Sequence, residues 1–189
     1  MSLLILGLII FFGTHSISLV NRRWRDQRLR RLGEPAWKGL YSLVSLLGFG
    51  LICYGYGAAR LAPLILYTPP LWLRHLAFAL MLPVFPLMLA VYLPGRLKAA
   101  ARHPLLLATK LWASAHLLAN GALADVLLFG SFLLWAVADR IAVRGRGESP
   151  LVLGPKAMRN DVWAIGLGLL LYGIFIVWLH RLLIGVSPL

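Results

Sequence analysis

The chain has 189 residues, of which 60% are hydrophobic and only 13% charged, whereas about a quarter of a soluble domain is charged. Its 19 Lys and Arg against 6 Asp and Glu give a formal net charge of +13, a balance that suits nucleic acid or an anionic membrane surface. The basic residues lie in the gaps between apolar runs, which favours the membrane and gives no role to nucleic acid.

A spanning helix needs about 20 mostly apolar residues, because the hydrocarbon core is about 30 Å thick. The first such run is Ser2 to Val20. It has no basic residues before it and no small-x-small cleavage site, and arginines follow it, so it reads as a retained helix and not as a signal peptide. The loop after it carries Arg22, Arg23, Arg25, Arg28, Arg30, Arg31 and Lys38. The second run, Gly39 to Gly57, holds the only cysteine, Cys53. One thiol makes no intrachain disulfide, and Cys53 is expected as a buried small apolar residue. The third run, Leu71 to Leu93, contains Pro83 and Pro86 near its middle, which should kink it and release backbone carbonyls. A loop with Arg96, Lys98 and Arg102 follows. The fourth run, Pro104 to Ala119, is short, and a re-entrant segment is the alternative to a span. Asn120-Gly121 is a strong turn signal and separates it from the fifth run, Leu123 to Ala142. The loop from Val143 to Asp161 is rich in Gly, Pro and charge. The sixth run is Val162 to Ile184. The expected fold is all-α: one polytopic transmembrane helix bundle of about six helices over residues 1–189, with no internal repeat.

Arg140, Arg144, Arg146, Lys156 and Arg159 sit in or beside the loop after the fifth run. With the two earlier basic loops this places 15 Lys and Arg on one side, against Arg60, Arg74 and Arg181 on the other. The positive-inside rule assigns the fifteen to the cytoplasm and both termini to the outer side. Trp24, Trp37 and Tyr41 flank the first basic loop, and Tyr54, Tyr56, Tyr67 and Trp72 flank the first outer loop, as headgroup-seeking aromatics should.

An ionisable group within a membrane is costly and is a functional candidate by default. His15, Lys110, His116 and Asp125 qualify, while His75, His103 and His180 lie nearer the span ends. His15 reads either as a histidine bonded to a neighbouring helix or as a metal or haem ligand. If Asn120-Gly121 is a hairpin turn, His116 and Asp125 lie at equal depth. A carboxylate on one ring nitrogen would fix the tautomer and leave the other as a ligand, and a purely structural bond across the hairpin is the other reading. Lys110 either snorkels to headgroups or binds a substrate anion or haem propionate. At about 1.5 Å per residue, His15 and His116 differ in depth by about 10 Å, which two axial imidazoles span only across a tilted macrocycle. No P-loop, nucleophile elbow, HExxH or CxxCH motif is present, so any haem would be held non-covalently.

Several segments together resemble the NnrU family of bacterial membrane proteins. They are Gly13-Thr-His15-Ser16, Trp37-Lys-Gly-Leu-Tyr-Ser-Leu-Val-Ser45, Tyr67-Thr-Pro-Pro70, Leu93-Pro-Gly-Arg96, Arg102-His103-Pro104, Lys110-Leu-Trp-Ala-Ser-Ala-His116-Leu-Leu-Ala-Asn120-Gly121 and Trp135-Ala-Val-Ala-Asp139-Arg140. The resemblance covers nearly the whole chain. It implies a multi-pass protein of the bacterial inner membrane linked to nitrite and nitric oxide metabolism in denitrification. The family is also similar to the plastid 15-cis-zeta-carotene isomerase, a membrane enzyme that uses haem b. The isomerase's two haem-ligand histidines occupy positions that look like His15 and His116. Its alternative thiolate ligand falls at Ala113, so ligand exchange is not implied but bis-histidine ligation is. Three expectations follow: a haem b protein of nitrogen-oxide metabolism, with His15 and His116 as axial ligands and Asp125 behind them; a haem-dependent cis–trans isomerase of a polyene or other lipophilic substrate; or a haem-free accessory or transport protein.

Overall fold

The structure, a computed structural model, describes residues 1–144 and 157–189. Arg146 and Lys156 lie outside the described residues. All the regular elements described are helical. They are α1 (Ser2–Val20), α2 (Arg22–Leu32), α3 (Glu34–Ala59), α4 (Leu71–Met81), α5 (Val84–Ala90), α6 (Arg96–Ala101), α7 (Pro104–Ala119), α8 (Leu123–Arg144), α9 (Ala157–Ile174), a π-helical turn (Phe175–Leu179) and α10 (His180–Ile184).

Each of the six apolar runs forms helix, the third in two pieces. Five stretches among the described residues are long and apolar enough to cross a membrane: Ser2–Val20, Glu34–Ala59, Leu71–Ala90, Leu123–Val143 and Ala157–Ile184. No more than 28% of the residues in the most apolar window of any of them are buried within the protein. Apolar side chains such as Leu43, Leu46, Leu134 and Val177 are therefore exposed, and such a surface is stable only against lipid tails. The chain is a multi-pass membrane protein in contact with the bilayer. Helix α7 has 16 residues, about 24 Å at 1.5 Å per residue, so it falls short of the length the other five reach.

The segment read as the first basic loop is a helix from Arg22 to Leu32. It contains no Gly or Pro, Arg, Gln and Leu favour helix, and the Asn21 side chain caps it by accepting the Trp24 N–H at 2.9 Å. Gly33, at φ +79°, ends it. Helix α3 then begins at Glu34 and not Gly39, because Pro35 suits a first turn and Glu34 faces the positive end of the helix dipole. The third run breaks at Leu82-Pro83 into α4 and α5, as its two prolines predict. The last run starts earlier than expected, at Ala157, and passes through one π turn. Cys53 is exposed, which corrects the expectation of burial. Gly48, Ile52, Gly55 and Ala59 form the packed side of α3, and Cys53 lies off that side.

The described chain divides into two compact units, Met1–Thr68 with Asn120–Ser131, and Pro69–Ala119 with Phe132–Leu189. The first is organised by α1 against α3. Leu4 stands beside Gly55, Gly7 beside Ile52, and Phe11 beside Gly48, so the two helices run antiparallel. A Cβ on Gly48 would lie 2.8 Å from the Phe11 backbone nitrogen and one on Gly7 2.6 Å from that of Ile52. Hydrophobicity alone does not draw helices together in lipid, and such close backbone approach is what does.

The first unit also ties the Asn120-Gly121 turn to the 60–70 loop. The Gly121 carbonyl accepts the Leu66 and Tyr67 N–H groups at 2.8 and 3.2 Å, and Leu123 N–H donates to the Leu64 carbonyl at 2.8 Å. The Tyr67 hydroxyl donates to the Asn120 carbonyl at 2.8 Å. Burial pushes the Tyr67 phenol above its ordinary pKa, and the Asp125 carboxylate adds to the shift.

In the second unit, Val84, Leu87 and Ala108 form a buried cluster joined by Met81, Leu111 and Trp112. Beside the proline break, a Cβ on Gly168 would come within 2.6 Å of the Pro86 Cα, and the Tyr172 hydroxyl donates to the Phe78 carbonyl at 2.8 Å. Asp161 supplies the N-terminal cap that α6 lacks locally, accepting the Arg96 and Leu97 N–H groups at 2.9 and 3.0 Å.

Candidate functional site

The four residues singled out fall in both units. His15 and Asp125 belong to the first, Lys110 and His116 to the second.

A side chain on a helix leans back toward the preceding turn, and both histidines use that geometry. The Nδ1 of His15 lies 2.7 Å from the Phe11 carbonyl oxygen, four residues earlier. The Nδ1 of His116 lies 2.8 Å from the Trp112 carbonyl oxygen, also four residues earlier. A carbonyl only accepts, so each Nδ1 donates, and each neutral ring carries its lone pair on Nε2. This is how metal-bound imidazoles are commonly oriented, with the second nitrogen fixed by a backbone carbonyl.

Both rings are half-buried, and their neighbours differ. His15 stacks on Phe11 at a centroid distance of 4.1 Å and 26° between planes. The Tyr41 ring of α3 faces it at 5.4 Å. Gly48 sets up this stack by letting the Phe11 backbone settle onto α3. His116 lies 5.3 Å from Trp112, whose ring meets Phe132 edge-on at 5.3 Å. Ala113 and Ala115 beside it are buried to 0% and 1% exposure.

Asp125 is one of two buried polar residues among those described, at 8% exposure. One carboxylate oxygen accepts the Tyr56 hydroxyl at 2.6 Å. The other accepts the backbone N–H of Ala122 at 3.1 Å, the reach of a third-position acid back to the start of its own helix. Tyr56, read above as a headgroup aromatic, is thus a partner of the buried carboxylate. The two are 69 residues apart in sequence, and no local pattern signals the pairing. The Arg60 guanidinium stands 5.8 Å from the Tyr56 ring centroid. Lys110 is half-buried on α7 and, six residues before His116, sits about 120° round the helix from it.

Among the described residues no group of three or more His, Cys, Asp or Glu side chains is placed to hold a bare metal ion. A haem iron asks less of the protein, since its four equatorial nitrogens come from the macrocycle and only axial ligands are needed. Each of the two imidazoles, with its lone pair on Nε2, has the chemistry of one such axial ligand.

A family model described as NnrU protein matches residues 3–188. No curated protein and no solved structure matches the chain.

Proposed function

The chain belongs to the NnrU family, and from that premise we propose that it is a haem b protein of the bacterial inner membrane serving nitrite and nitric oxide metabolism. His15 and His116 are the residues that would hold its iron. The observation that carries this reading is the shared Nδ1-to-carbonyl bond at i−4, which presents Nε2 as the donor on both rings. Bound haem supplies one-electron redox chemistry at the iron. The chain's part is to hold and orient it. Phe11 and Tyr41 fix the plane of the His15 ring, and Trp112 flanks that of His116. Lys110, half-buried on α7, is the cation that would pair with a propionate. Asp125 positions Tyr56 and the start of α8 through its carboxylate.

The test is the absorbance of detergent-purified protein expressed with ample haem. A Soret band is expected for the wild type, with haem retention at least about tenfold lower in His15→Ala and in His116→Ala, as loss of a metal-site group produces. A colourless wild type would instead make this a haem-free accessory or transport protein. Isomerisation of a supplied cis-polyene by the loaded protein would make it a haem-dependent isomerase acting on a lipophilic substrate.

A further inference from the structure

Helix α2 touches α3 through Trp24 on Trp37, ring centroids 6.1 Å apart, but is otherwise poorly covered. It has 11 residues and buries none of them, and isolated helices of that length are marginal in water. Its charges make matters worse. Arg22, Arg25, Arg28 and Arg31 follow one another at i, i+3 steps, and like charges at that spacing repel. The single acid, Asp26, pairs with Arg25 at 3.2 Å. The remaining arginines are exposed, and α2 joins two spanning helices, so it sits at headgroup level, where anionic lipid favours a basic segment.

A recess of about 410 Å³ lies where α2 meets the start of α3. Arg25, Lys38, Ser18, Ser42, Trp37 and Tyr41 contribute to its wall. Arg25 meets the recess with its partly exposed guanidinium, whose pair with the half-exposed Asp26 exchanges at little cost. Glu34, also on the wall, pairs with Lys38 at 2.6 Å. That pair is 71% and 68% exposed, so its partners exchange at little cost. Two cations, two hydroxyls and two aromatic rings at the bilayer surface form a set suited to a phosphodiester with its acyl chains lying along α1 and α3.

We propose that Arg22–Leu32 is an interfacial helix and that the recess beside it binds the phosphate headgroup of an anionic phospholipid. Juxtamembrane clusters of four to eight basic residues act in this way, and a guanidinium fork matches phosphate oxygens. Tyr41, which lines the recess, also faces His15, so lipid occupancy bears on the same tyrosine that orients that ring.

The test titrates the detergent-solubilised full chain with phosphatidylglycerol, phosphatidylcholine or inorganic phosphate and counts adducts by native mass spectrometry. Phosphatidylglycerol should bind in preference to both others. The double variant Arg25→Gln, Lys38→Gln should weaken it roughly tenfold, whereas Arg30→Gln, Arg31→Gln, with the same charge change outside the recess, should alter it less than about twofold. Equal weakening by both variants overturns the site, and equal binding of inorganic phosphate or phosphatidylcholine overturns the anionic lipid as ligand. If the first variant fails to fold, a photoreactive phosphatidylglycerol headgroup on the wild type decides. Labelling within residues 18–42 supports the proposal, and labelling confined to other segments overturns it.

Discussion

His15 and His116 are oriented by the same backbone bond, at 2.7 and 2.8 Å, yet the two rings are supported in different ways. The first lies on an aromatic shelf, Phe11, in a helix pair drawn together by glycines. The second stands among alanines beside a tryptophan that belongs to an apolar cluster. The lesson is that tautomer and ring plane are separable. The main chain of the residue's own helix sets the tautomer at both positions, and packing sets the plane differently at each. Disturbing the α1–α3 contact should therefore affect His15 and spare His116.

The strongest break in that contact is Gly48→Leu. Its side chain would meet the Phe11 backbone at 2.8 Å from the first carbon onward, where nothing can yield, and overpacking of this kind costs about 3 kcal/mol or more. A thermal midpoint well below wild type is expected in detergent. Gly50→Ala is the control, because a Cβ there meets nothing within 4 Å and stability should stay within about 0.5 kcal/mol.

Tyr56→Phe comes next. It strips the 2.6 Å donor from a carboxylate that is 8% exposed, and leaving such an acceptor short of a partner costs about 2 kcal/mol. Denaturant titration should register that loss, while the Soret position stays unchanged, since Asp125 positions and does not ligate. A shifted Soret band would draw Asp125 into the ligand set.

The smallest effect sharpens the comparison most. Phe11→Ala removes the shelf under His15 at a cost of about 1 kcal/mol in ring–ring contact, and leaves the Phe11 carbonyl in place. Haem retention should fall a few-fold, less than in His15→Ala. Retention as low as in His15→Ala would show that the plane matters as much as the ligand.

The six apolar runs were legible because a bilayer demands length and composition, and both are written locally. The Asn120-Gly121 break and the split at Pro83 were legible for the same reason, since Gly and Pro act on their own backbone. Helix α2 was not. Arg-rich and without apolar periodicity, it reads as a loop unless the interface is counted as one of its partners. The candidate histidines were visible as residue types out of place in lipid. Their environment was not, because Tyr41 and Gly48 come to His15 and Phe11 from another helix. The reading that sets Asp125 level with His116 uses hairpin register alone, and that register carries no information about the Tyr56 hydroxyl that Asp125 accepts from another helix. The orientation of the spans rests on the basic residues alone, by the positive-inside rule.

The clasp between residues 64–67 and the 120–123 turn bears on how that orientation can be measured. A Gly-containing turn between two apolar helices would ordinarily be the first choice for splicing in a reporter tag. Here the Gly121 carbonyl accepts two N–H groups and the Leu123 N–H donates to the Leu64 carbonyl, so an insertion there would tear a stitched seam. Ala62 is the better position: it and its neighbours Leu61 and Pro63 are exposed, and a tag placed there leaves the seam closed.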